Sequence, residues 1–196
     1  MNPLLPKPNT GETAQTHHRA GSVVWLTGLS GAGKSTIAEK LEETLRQRGR
    51  HTYVLDGDKV RTGLCSDLGF SPEARKENIR RIAEVARLFA DAGIVCIVAF
   101  ISPYRADRDR ARALMPSGRF IEAYLSTPLE ICEQRDTKGL YAKARAGLVK
   151  DFTGVSAPYE APLQPEVELR TDKLTVAECV SALIAKVDLI QSSTAG

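Results

Sequence analysis

The chain has no Cys-x-x-Cys pair. Its four cysteines, Cys65, Cys96, Cys132 and Cys179, are widely scattered, which argues against a zinc cluster and against a secreted disulfide framework, and points to a reducing cytoplasm. Cys96 and Cys132 sit in apolar patterns and read as core residues, whereas Cys65 falls in a loop where a reactive thiol is the alternative to a bland one. No apolar run is long. The longest, Ile94 to Ile101, falls far short of the roughly 20 residues that cross a bilayer, so no membrane partner is expected. Charge of one sign is also scarce: 27 Lys plus Arg against 24 Asp plus Glu leave a net of +3, too little to argue for nucleic acid. Residues 1–20 lack a basic stretch followed by an apolar one and read as a flexible leader rather than a signal peptide, with the paired His17 and His18 given no role. There is no internal repeat and no low-complexity tract.

What the chain does have is Gly28-Leu29-Ser30-Gly31-Ala32-Gly33-Lys34-Ser35, a complete G-x-x-x-x-G-K-[ST] octet. The apolar run Val23-Val24-Trp25-Leu26 precedes it and the helical pattern Ile37, Ala38, Leu41, Leu45 follows it, which is the strand-loop-helix setting that the motif requires. Glycines let successive backbone N–H groups turn inward around a β-phosphate. Lys34 then reaches the β and γ oxygens, and the Ser35 hydroxyl ligates Mg²⁺. The helix behind the loop aims its positive end at the same anion. Residues 28 to 36, Thr36 included, are therefore expected to bind a nucleoside triphosphate.

The remaining pattern alternates strands and helices. Strands are expected at Ser22 to Thr27, Tyr53 to Leu55, within Ile94 to Ile101, at Phe120 to Leu125 and at Val167 to Leu169. Helices are expected from Lys34 to about Arg48, from Pro72 after a Ser71 cap to Gly93, near Arg105 to Leu114, at Leu129 to Arg135, and after the capping box Thr175-x-x-Glu178. This order predicts an α/β fold, a doubly wound parallel sheet of the P-loop NTPase type with helices on both faces. With 196 residues it makes one domain, residues 21–190, with a C-terminal tail at 191–196. Residues 137–165, basic and rich in glycine and proline, exceed an ordinary connection and read as an active-site lid.

A phosphate loop alone does not separate kinases from switches and motors. The Asn-Lys-x-Asp guanine-reading motif is missing, and the strand ending in Phe100-Ile101-Ser102-Pro103 carries no acid at its end. Asp56 and Asp58, flanking Gly57 at the carboxyl end of a short strand, become the candidate acids: Asp56 for the metal, Asp58 as acceptor of a proton from an attacking hydroxyl. An Asx turn at the strand end is the structural alternative.

At this point the chain resembles the adenylylsulfate kinase family. The resemblance rests on Trp25 to Ser35, Leu55-Asp56-Gly57-Asp58, Arg61 to Phe70, Arg75-Lys76-Glu77-Asn78-Ile79-Arg80-Arg81, Ala99 to Pro103, Lys138-Gly139-Leu140-Tyr141, Lys143 to Gly147 and Asp151-Phe152-Thr153-Gly154, spanning about residues 22 to 190. Thr137 and Tyr104 depart from it, where proline and histidine are common. The resemblance implies transfer of the γ-phosphoryl of ATP, with Mg²⁺, to the 3′-hydroxyl of adenosine 5′-phosphosulfate (APS), giving 3′-phosphoadenosine 5′-phosphosulfate (PAPS) and ADP. It implies Lys34, Asp56, Asp58 and Ser102 as catalytic residues and Ser35 with Asp56 at the metal. Substrate residues would be Asp58, Arg61, Phe70, Arg75, Asn78, Ile101, Ser102, Lys138, Gly139, Leu140 and Phe152: Phe70 as an adenine platform, Arg61 and Arg75 as forks for the phosphosulfate, Lys138 over negative charge, and Phe152 over the second adenine. Ser102 stands where a phosphoserine intermediate is sometimes described, although direct in-line transfer needs none. The resemblance further implies a cytoplasmic homodimer, with a possible sulfate adenylyltransferase association. Two alternatives stay open: another small-molecule kinase of the gluconate, shikimate or nucleoside-monophosphate type, and a regulatory protein that binds ATP without transferring it.

Overall fold

The computed structural model describes residues 21–192; the leader, with His17 and His18, lies outside them. Five strands form one parallel sheet: β1 (Ser22–Thr27), β2 (Thr52–Asp56), β3 (Val95–Ala99), β4 (Phe120–Leu125) and β5 (Val167–Leu169), in the order β2-β3-β1-β4-β5. β1 lies in the middle. The run Val95–Ala99 is entirely buried, as its lack of polar alternation predicts for a strand covered on both faces.

Alternation along β1 sorts its side chains between two cores. Val24 and Leu26 face a layer that includes Ile37, Leu41 and Leu45 of α1 (Lys34–Gln47) and Val180, Leu183 and Val187 of α7 (Val176–Ser192). Val23 and Trp25 face the other layer, with Ile79, Ile82 and Ala86 of α3 (Pro72–Asp91) and Ala111 of α4 (Arg105–Ala113). The expected helix starts are built as the caps predict. Ser71 accepts from the Ala74 N–H at 3.2 Å with Pro72 in the first turn, and Thr175 and Glu178 bond each other's backbone N–H at 3.3 and 2.8 Å.

Three features differ from the sequence reading. A single turn, α2 (Gly57–Val60), follows β2 directly because the Asp56 side chain accepts from Asp58 N–H and caps it. Segment 137–165 holds a short helix, α6 (Leu140–Arg145), after α5 (Leu129–Arg135); Asp136 takes the Tyr141 and Ala142 N–H groups at 3.1 Å. Helix α7 runs to Ser192, two residues into the expected tail, and residues 193–196 lie outside the described residues. As expected, Cys65 lies in the connection between α2 and α3, and its burial in the α3-side core favours the bland thiol over the reactive one. No helix among the described residues is long and apolar enough to cross a membrane.

Candidate active site

All the strands run in parallel, so their carboxyl ends open on one side of the sheet, where such folds gather ligand groups. A cavity of about 1230 Å³ lies there. Its wall begins with the phosphate loop, which is wedged between neighbours that leave no room for a side chain at Gly28 or Gly31. A Cβ on Gly28 would stand 2.7 Å from the Leu125 carbonyl oxygen, and one on Gly31, whose φ is 75°, 2.8 Å from that of Cys132.

Lys34 opens α1 and folds over the loop, donating to the Gly28 and Leu29 carbonyl oxygens at 2.9 and 2.7 Å. Burial pushes its ammonium down to about 8, against the opposing attraction of Cys132 and Asp56. The Ser35 hydroxyl donates to the second Asp56 oxygen at 2.7 Å, while the first accepts from Asp58 N–H at 3.0 Å. Asp56 thus makes the Asx-type cap and also reaches the loop serine. A hydroxyl and a carboxylate at this mouth are hard oxygen donors of the kind that could hold Mg²⁺.

Asp58 leaves the same turn with an exposed side chain and pairs with Lys138 from segment 137–165. On the far wall, Arg61 and Arg75 are already engaged. Arg61 donates to the Leu68 and Gly69 carbonyls at 3.1 Å and lies 4.4 Å over the Phe70 ring. Arg75 donates to the Phe70 and Asp151 carbonyls at 2.9 and 2.8 Å and to Thr153 Oγ1 at 3.3 Å. They shape the wall as well as face the cavity. Phe70 is exposed. Asn78 is buried, and its Oδ1 has no hydrogen-bond partner.

Ile101 and Ser102 form the floor. Ser102 is 2 % exposed, and its Oγ accepts from Trp25 Nε1 at 3.0 Å and donates to Thr27 Oγ1 at 3.0 Å. Phe152 is buried edge-on against Tyr141, with ring centroids 5.0 Å apart, and still lines the cavity with Lys138 and Leu140. Gly139 takes the left-handed backbone at the start of α6. The cavity lining therefore unites the loop residues Ser30 to Thr36 with Asp56, Asp58, Arg61, Phe70, Arg75, Asn78, Ile101, Ser102, Lys138, Leu140 and Phe152, Ala32 alone of that loop stretch lying behind the surface.

A family model described as adenylylsulphate kinase matches residues 20–170. The chain belongs to the adenylylsulphate kinase family. It is a phosphotransferase of the enzymes that convert APS to PAPS. The adenylyl-sulfate kinase of Marinobacter nauticus is 55 % identical over 179 residues, 91 % of this chain and 90 % of that one. That of Shewanella denitrificans is 58 % identical over 86 % of this chain and 82 % of its own. Among solved structures, a Mycobacterium tuberculosis APS kinase in complex with AMPPNP and APS is 44 % identical, covering 86 % of this chain and 98 % of that one, with a TM-score of 0.83.

The kinase cavity also has a side that the sequence reading did not reach. Arg135 at the end of α5 donates to the Gly31 carbonyl at 3.3 Å, Thr171 Oγ1 at 2.9 Å and the Thr171 carbonyl at 2.9 Å, and Thr171 Oγ1 donates in turn to the Ala32 carbonyl at 2.9 Å. Leu174, Val176 and Cys179 complete that side. No local pattern marks these residues; only their distance from the loop in the chain, against their closeness in space, reveals them.

Proposed function

We propose that this cleft transfers the γ-phosphoryl group of ATP to the 3′-hydroxyl of APS, forming PAPS and ADP, with segment 137–165 as its lid. The observation that carries the reading is the shared cavity, whose lining runs from the phosphate loop through Asp56 and Asp58 to Arg61, Phe70, Arg75 and Asn78. ATP would lie with its phosphates against the loop amides and its base toward Arg135 and Thr171. Lys34 would exchange its loop carbonyls for β and γ oxygens. Ser35 and Asp56 would hold Mg²⁺, which when bound neutralises charge on the triphosphate.

On the acceptor side, Phe70 supplies a stacking face and Phe152 covers from the lid, while Arg61 and Arg75 turn guanidinium edges toward the phosphosulfate. The unpartnered Asn78 Oδ1 calls for a donor from the substrate. Asp58 accepts the proton of the 3′-hydroxyl as its oxygen bonds the γ-phosphorus, and the bond to the β-bridging oxygen breaks to release ADP. Lys138 leaves Asp58 for the reacting phosphates as the lid closes, and closure keeps water out. Ser102 serves the floor rather than the transfer. Its hydroxyl is enclosed and bonded on both sides, which supports direct transfer over a phosphoserine step.

Incubation with Mg²⁺, ATP and APS is expected to yield a 3′-phosphorylated sulfonucleotide, with gluconate, shikimate and nucleoside monophosphates unreactive. Phosphorylation of one of those acceptors in place of APS, or of none, would overturn the reading. Rapid quenching with γ-labelled ATP and no acceptor is expected to leave Ser102 unlabelled. A homodimer, and any binding of sulfate adenylyltransferase, are read by sedimentation of the chain alone and with that enzyme.

A further inference from the structure

Helix α4, Arg-Ala-Asp-Arg-Asp-Arg-Ala-Arg-Ala, is composed like a solvent-facing helix, yet Arg108 within it is 1 % exposed. Its guanidinium spends one edge on each of three partners. Nε donates to Glu122 Oε1 of β4 at 2.6 Å, Nη1 to the Ser102 carbonyl at 2.7 Å, and Nη2 to the Glu160 carbonyl at 2.7 Å. The second Glu122 oxygen accepts from Arg112 at 3.3 Å, and Arg112 is itself paired with Glu166 at 2.6 Å. Charge in this interior is balanced.

A buried ion pair is a poor source of stability, since apolar side chains of similar volume commonly serve as well. What the planar fork adds is direction. Ser102 has a φ of 39°, a left-handed conformation that a non-glycine residue holds only when its surroundings enforce it. Arg108 holds the carbonyl of that residue. The same turn is pinned from the front: Trp25 donates to Ser102 Oγ, and Thr27, the residue before the phosphate loop, donates to the Ile101 carbonyl at 2.8 Å and meets the Tyr159 hydroxyl at 2.9 Å. Behind it, Glu160 N–H donates to the Pro103 carbonyl at 2.8 Å, and the Glu160 carboxylate caps Arg105 N–H at 2.8 Å.

We propose that Arg108 is a positioning residue for phosphoryl transfer: it locks the left-handed turn at Ser102 to the C-terminal part of the lid segment at Glu160, so that the acceptor floor and that part of the lid move as one body. This rests on the function proposed above. Arg108 touches neither substrate; it acts through the Ser102 and Glu160 carbonyls.

The test uses the full chain with Arg108→Lys, which keeps the charge and loses the fork, and Glu160→Ala, which removes the carboxylate cap on Arg105 N–H and so disturbs segment 157–161 while keeping the carbonyl that Arg108 holds. Hydrogen exchange is read at residues 101–105 and 157–161, together with emission from Trp25, the single tryptophan of the chain. In Arg108→Lys both segments are expected to lose protection together and Trp25 emission to shift. The KM for APS is expected to rise about tenfold with the KM for ATP within about twofold, a split that general loosening of the fold would not give. Glu160→Ala is expected to show the same pattern at about threefold with an unchanged melting temperature, and it decides the matter if Arg108→Lys fails to fold. Protection lost at one segment alone, or equal changes in both KM values, overturns the proposal. Should the wild-type chain make no PAPS, the functional reading falls, while exchange and emission still decide whether the two segments are tied.

Discussion

The Ser35 hydroxyl donates to Asp56 across 2.7 Å, joining the first turn of α1 to the end of β2. Because the other Asp56 oxygen caps α2 at 3.0 Å, one carboxylate does two jobs that substitution can separate. Asp56→Asn keeps an oxygen for the cap and removes the charge proposed to hold Mg²⁺. Its melting temperature is expected to stay near wild type while kcat falls about 100-fold, whereas Asp56→Ala also loses about 1 kcal/mol with the cap. Thermal melts beside steady-state rates check this, and an active Asp56→Asn would remove Asp56 from the metal.

Lys34 predicts a proton change on nucleotide binding. Its folded-state value, about 8, lies below the ordinary 10.5 because of burial. Polyphosphate oxygens favour the charged amine, so binding of ATP at pH 8 is expected to take up about half a proton, falling toward zero by pH 6.5. Calorimetry in buffers of different ionisation enthalpy measures it. For the ligand-free fold the sign is opposite to that of a lysine that gains a partner. The unfolded chain holds this proton more tightly between about 8 and 10.5, so the Lys34 contribution to stability rises with pH across that window, and the cost of burying the charge is in full force below it. Lys34→Met is expected to melt higher than wild type at pH 7 and to lose transfer.

Lys138 and Asp58 pair with both side chains exposed, and exposed pairs contribute little to stability. Lys138→Ala is therefore expected to leave the melting temperature within about 2 °C of wild type and to lower turnover by tenfold or more, about the scale of a lost charge on a transferring phosphoryl group. Unchanged turnover would remove the lid assignment.

All four cysteines are buried, and burial raises the thiols of Cys65, Cys132 and Cys179 and pushes Cys96 up to about 12. A thiol held protonated and out of solvent reacts slowly. The native protein is expected to show no fast reaction with an aromatic disulfide reagent and the unfolded protein four equivalents. Rapid labelling of native Cys65 would show that its loop opens.

The five strands were legible because a parallel sheet covered on both faces leaves continuous apolar runs, as at Val95–Ala99. The long helices were legible from their apolar faces and caps. Helix α2 was not, since one turn held by the Asp56 side chain leaves no periodicity to read. Within the site, the octet and the acids follow local rules, so Lys34, Ser35 and Asp56 could be found one segment at a time. Arg135 and Thr171 could not, because their partners Gly31 and Ala32 lie far away in the chain. Arg108 was hidden for another reason: a charged residue in a charged helix reads as solvated, and only its pairing with Glu122 shows that it is interior.

The carbonyl of Cys132 that crowds Gly31 sits on α5, the helix that ends in Arg135. Any side chain added at Gly31 would shove that helix outward and carry the Arg135 guanidinium with it. The tolerance of the phosphate loop to change at Gly31 is therefore set from the rear, by the packing of its supporting helix, and redesign there must begin with α5 rather than with the glycine.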